Sequence, residues 1–153
     1  MRAMGGFALS ETVETRDRSV LFRKMRPWML GTDILLLTYW FVTTLVAIGL
    51  LSVPDAYLFK DYHDPLVVAW NWSFFPLDAI FSVLGIYAAF LFVRGDERWY
   101  GVTLVSAALT FCAGLMAIVY WAILGDFDAS WWIPNLILMA WPLWFMPKLI
   151  NAT

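Results

Sequence analysis

The side chain with most chemistry to offer in this sequence is Asp78, set inside the apolar and aromatic run AWNWSFFPLDAIF from Ala69 to Phe81. A carboxyl group there can hold a cation, hydrogen-bond a hydroxyl or carry a proton. Facing lipid near the middle of a membrane it would cost about 3 kcal/mol, so it has to face other helices or a wet cavity. At about 100° per helical residue, Asn71, Asp78, Ser82, Gly85 and Ala89 fall within an arc of roughly 60°. One stripe of this segment is therefore polar or small.

Counted at about 1.5 Å per residue, Asn135, Thr43, Thr44 and Gly114 come out level with Asp78, and Trp40 lies just below. These residues define a candidate ligand site. Asp78 is its polar anchor, Asn71, Asn135, Thr43 and Thr44 supply hydrogen bonds, and Trp40, Trp70, Phe74 and Trp121 form walls for an amphipathic ligand with a cationic or hydroxyl end. The blander alternative keeps Asp78 neutral and bonded to Asn135 or a threonine, holding helices in register. Pro76 frees the carbonyl of Trp72 and loosens the segment beside the acid.

The remaining polar groups point to structure. Asp33 comes out only about 7 to 8 Å deep and is expected to reach the Arg23, Lys24 and Arg26 cluster. In KDYHDP, Asp64 and Pro65 read as a helix cap and first turn, and His63 as a solvated neighbour of carboxylates. Asp126, Asp128 and Ser130 read as turn and capping residues. One His and one Cys, Cys112, do not make a four-ligand zinc site, and no phosphate loop or nucleophile elbow is present. No catalytic residue, metal or cofactor is expected, and nothing points to nucleic acid.

The elements that position these groups follow from composition. Of 153 residues, 62% are hydrophobic and 14% charged, with ten Trp and a mean hydropathy of +0.72. No soluble core hides that much apolar surface, so the expected class is an all-α polytopic membrane protein, an antiparallel bundle of four transmembrane helices. The spans are 28–53, 66–93, 100–124 and 131–149, each able to cross a core of about 30 Å. Residues 1–26 read as a flexible basic tail, helical near Ser19 to Met25, ahead of a transmembrane domain at 27–153. On the first span, Thr32, Asp33, Tyr39, Trp40, Thr43 and Thr44 form the inward face, and Ile34, Phe41, Val42, Leu45 and Val46 the lipid face. Thr103, Ala107, Thr110, Gly114, Ala117 and Trp121 align on the third, and Trp131, Asn135, Met139, Pro142 and Met146 on the fourth.

Nine of the ten Lys and Arg residues fall in the N-terminal segment, the second loop and the C-terminus, leaving Lys60 beside Asp55, Asp61, Asp64, Asp126 and Asp128. The expectation is a multi-pass plasma-membrane protein with both termini cytoplasmic, its basic segment near anionic lipid.

The stretches TDILLLTYW, AWNWSFFPLD, LTFCAGLMAI and DFDASWWIPN resemble the YvaD-like family of small four-helix bacterial membrane proteins, over about Trp28 to Ile150. That resemblance implies four spans and little chemistry. FKDYHDPL followed by WNWSFFPLD also resembles the emopamil-binding-protein superfamily, which includes the sigma-two receptor. It implies a vestibule for sterol-like or cationic amphipathic ligands, with Asp64 as the loop aspartate and Asp78 as the cavity acid. The isomerase of that superfamily pairs its acid with an intramembrane His, whereas the one His here is His63 in a loop. Three functions stay open: binding or transport of an amphipathic ligand, a partner subunit packing against another membrane protein or itself, and a lipid-modifying enzyme.

Overall fold

The computed structural model describes residues 3–54 and 59–152, with side chains from residue 16 onward. Four helices account for its regular structure: α1 (Ala3–Ala47), α2 (Pro65–Val93), α3 (Trp99–Leu124) and α4 (Ala129–Ile150). Each contains a stretch long and apolar enough to cross a bilayer, so the expected all-α four-helix membrane architecture is found. Asp64 accepts a hydrogen bond from Leu66 N at 2.8 Å with Pro65 opening α2, and Asp128 accepts from Ser130 N at 2.8 Å before α4.

The first helix departs from expectation at both ends. It ends at Ala47 rather than Val53, because Gly49 adopts φ 74° and the amides of Gly49 and Leu50 turn back onto the carbonyls of Val46 (3.0 Å) and Leu45 (2.9 Å). The same closure ends α2 at Gly95 and α3 at Gly125. At the other end, α1 runs continuously from Ala3 through Pro27, beyond the helical stretch expected near Ser19 to Met25. Asp55 and Arg2 lie outside the described residues. Phe22, Met25 and Met29 recur at helical spacing and are fully buried. Phe22 packs on Phe92 and Trp99 with ring centroids 4.6 and 4.7 Å away. Three apolar residues scattered among charges carry little mean hydropathy, yet they are one helix face.

Helix α3 packs extensively on both α2 and α4, while α1 packs on α2 and more lightly on α4. The expected inward stripes of α2 and α3 are buried in full. On α4 the buried face is Leu138, Trp141, Pro142 and Leu149, rotated from the expected one, with which it shares Pro142 and whose Trp131, Asn135, Met139 and Met146 are half-buried. With three prolines and few polar residues, α4 has little polar patterning to distinguish protein from lipid. Gly114 lets α3 and α4 touch: a Cβ there would lie 2.6 Å from the Asn135 carbonyl oxygen.

The two ends of the bundle differ. Where α1 residues 18–29 meet the α2–α3 turn and the end of α4, Phe22, Met25, Met29, Leu91, Trp99, Trp141 and Leu149 form a packed core. Arg18 ties that end by donating to the Ala152 carbonyl at 3.1 Å. The opposite end, where a Lys60–Asp126 ion pair joins the two other loops, is hollow.

Candidate functional site

A cavity of about 550 Å³ occupies that hollow half, with all four helices contributing to its wall. Asp78, Asn71, Asn135, Trp40, Trp70 and Phe74 line it, as the sequence suggests. Thr43, Thr44 and Trp121 do not. Thr44 donates to the Trp40 carbonyl at 2.7 Å on its own helix, and Thr43 is half-buried behind Tyr39, with which its side chain hydrogen-bonds. Trp121 lies behind the lining, stacked on Trp131 at 5.1 Å.

Asp78 is seated by α1. Trp40 Nε1 donates to Asp78 Oδ2 at 2.9 Å, both side chains being buried. Neither Asn135 nor a threonine is its partner: Asn135 Nδ2 donates instead to the Trp131 carbonyl at 2.8 Å. Seven residues along α2, Asn71 Oδ1 accepts from Tyr39 OH at 3.0 Å. Two α1-to-α2 bonds thus border one wall. Each leaves a group over, since Asp78 Oδ1 and Asn71 Nδ2 are buried without a partner among the described residues, as is Trp131 Nε1.

The remaining wall is aromatic and aliphatic. Trp70 stacks on Tyr120 at 4.3 Å and meets Phe74, Trp121 and Trp131 edge-on between 5.0 and 5.4 Å. Phe59, from the first loop, reaches Trp131 at 5.9 Å and covers the loop end. On the flank, Leu35 of α1 and Ile133 and Ile137 of α4 line the cavity while remaining exposed at 71, 57 and 44%. The cavity therefore opens sideways between α1 and α4, the lightly packed pair.

Sequence spacing did not single out Tyr39, Trp131, Pro134 or Ile137 as lining, although Tyr39 and Trp131 fell on the expected inward faces. It misplaced Asp33. That carboxyl does not reach Arg23, Lys24 or Arg26: it is fully buried between helices, with both oxygens unpartnered among the described residues. Asp33 Oδ2 occupies the place a Cβ of Gly85 would take, and Ser106 Oγ lies 3.1 Å from it. Depth counting missed this because it ranks residues along the axis and is blind to the hole a glycine opens on the neighbouring helix.

Several charged groups of the described loop residues are held by near neighbours. The hydrogen bond from Lys60 to Asp126 pushes the ammonium of Lys60 up from its ordinary value. Hydrogen bonds from Arg98 hold Asp96 at about 2, and those from Ser130 hold Asp128 below the usual carboxylate range. Asp64, which the second resemblance would assign to the ligand, is an exposed cap outside the lining.

Residues 25–153 match the model of a family described as "Family of unknown function (DUF5360)". The chain is similar to "Uncharacterized protein YvaD" of Bacillus subtilis (strain 168), with 38% identity over 129 residues, 84% of this chain and 93% of that protein. No solved structure gives a significant match.

Proposed function

This chain belongs to the DUF5360 family, as the match over residues 25–153 shows, and from that premise we propose that its bundle binds, and carries across or along the membrane, a small amphipathic molecule in the Asp78 cavity. The observation that carries this reading is the cavity itself. Its volume of about 550 Å³ falls within the size range of small-molecule sites, whereas a purely structural bundle would fill the space with side chains.

The unpartnered groups suggest the ligand's polar end. Asp78 Oδ1 can accept from a ligand hydroxyl, while Asn71 Nδ2 and Trp131 Nε1, nearer the loop end, are donors left for other polar atoms of the ligand. A sterol-like alcohol fits that description, and a cationic amine fits the acid and the aromatic wall alone. The body of the molecule would lie against Leu35, Ile133 and Ile137, entering from the bilayer. Binding and passage are favoured over bond making. Proton transfer to a bound carbon needs a donor and an acceptor at one place, and here Tyr39, the titratable neighbour of Asp78, is engaged by Asn71.

Orientation follows from charge. Among the described residues every Lys and Arg except Lys60 belongs to the packed end or its flanking helix, which supports both termini being cytoplasmic in a plasma membrane.

The test is photolabelling in vesicles with two bifunctional probes, a diazirine sterol and a diazirine alkylammonium of similar length, followed by peptide mapping. Sterol adducts at Leu35, Trp131 and Ile137, displaced by excess unlabelled sterol, support the reading. Labelling spread without competition over Ile80, Val83 and Met116, which face outward, would overturn it.

A further inference from the structure

Asp33 is the group that no part of the proposed site uses. It lies two helical turns below Trp40 on one face of α1, and Gly85 lies two turns below Asp78 on the matching face of α2. Antiparallel α1 and α2 therefore meet twice: Trp40 on Asp78 above, Asp33 on Gly85 below. The upper acid has a donor. The lower one has none among the described residues, although it is 0% exposed.

The surroundings limit what can neutralise it. From α2 it faces Gly85, with Ser82 one turn away on the same stripe, its Oγ buried and unpartnered. From α3 it faces Ser106, whose hydroxyl is spent on the Phe81 carbonyl at 2.9 Å. On its own helix the nearest charged residue is Arg26, two turns toward the packed end and half-buried, and neither oxygen of Asp33 has a partner among the described residues. The carboxyl oxygen already fills the space a Cβ of Gly85 would take, which leaves no shell of oxygens around a metal ion, and no metal-binding cluster occurs among the described residues. A bare carboxylate without donor or counter-charge is not stable in such a place.

We propose that Asp33 is a proton-binding site, a carboxylic acid seated on Gly85 between Ser82 and Ser106, whose proton keeps α1 closed against α2 beneath the cavity. Loss of the proton leaves a buried anion without a counter-charge, and α1 has to lift to hydrate it. Because α1 also carries Trp40, that movement draws the indole from Asp78 and widens the α1–α4 flank. The proton site stands whether or not the cavity takes a ligand. A charge forming on Asp33 opposes the closed packing, so the stability that the neutral acid lends the bundle is lost where the acid ionises.

Infrared spectroscopy of the protein in lipid nanodiscs tests this, through the carbonyl stretch of protonated carboxyl groups at neutral pH. Wild type and D78N should both show a band from a non-hydrated acid, D33N should lack it, and it should fade in alkaline buffer as thermal stability falls. D33N, which mimics the neutral acid, should keep its stability there. A D33N spectrum superimposing on wild type, or equal alkaline loss of stability in both, overturns the proposal. Should D33N fail to assemble, G85A serves: its methyl must displace the carboxyl, so the band has to shift or vanish, and an unchanged band contradicts the assignment.

Discussion

Trp40 on α1 donates its indole N–H to Asp78 on α2 at 2.9 Å, and this is the one hydrogen bond the acid receives among the described residues. Trp40→Phe keeps most of the ring but leaves that carboxyl oxygen without a donor. The bundle should lose about 1–3 kcal/mol, read by thermal or detergent titration. Asp78→Asn retains an acceptor for Trp40 and should cost clearly less. A double variant no worse than Trp40→Phe alone would identify the bond as the coupling between the two sites.

Gly114 and Gly31 make a paired comparison. A methyl at Gly114 meets the Asn135 backbone oxygen at 2.6 Å and Met139 Cγ at 2.9 Å, so Gly114→Ala should separate α3 from α4 at a cost of about 1–3 kcal/mol. At Gly31 nothing lies within 4 Å, and Gly31→Ala should be neutral or stabilising by up to about 1 kcal/mol, since alanine is the better helix former. The same unfolding assay ranks both.

Phe22 tests the extended α1. It is fully buried against Phe92 and Trp99, and Phe22→Ala should destabilise by about 3–5 kcal/mol. A dispensable tail ahead of the first span would give no measurable change.

Much of the bundle was legible in the sequence because a polar or small residue in an apolar helix has to choose a side. Asn71, Asp78, Ser82, Gly85 and Ala89 are all buried, as are Thr103, Ala107, Thr110, Gly114, Ala117 and Trp121. On α4 the rule had little to act on. Its residues are nearly all apolar and equally at ease in lipid or protein, so Leu138 and Trp141 turned inward without announcing it. Partners were less legible than faces. Asp78 takes Trp40 rather than Asn135 because Asn135 bonds within its own helix, and Asp33 finds a glycine on α2 rather than the nearby cations. The helix before Pro27 was read only near Ser19 to Met25, because its apolar residues are diluted by charged neighbours.

The Asp96–Arg98 pair predicts a local acid response. Arg98 donates to Asp96 through its backbone N at 3.0 Å and its guanidinium at 2.7 Å, holding the carboxyl at about 2. The folded value is depressed, so the stabilisation of this turn is present above the unfolded carboxylate's ordinary value and is lost as pH falls through about 2. Titration of the Asp96 side-chain carbon by NMR should show a midpoint near that value in wild type and a higher one in Arg98→Ala, which keeps only the backbone donor.

Native mass spectrometry of the protein released from its own membranes, wild type beside Asp78→Asn, bears most directly on whether the inward acid anchors a ligand. Wild type should retain an amphipathic molecule of defined mass. Asp78→Asn should emerge folded and lighter by that mass. Empty wild type, or equal retention by both proteins, would contradict the account.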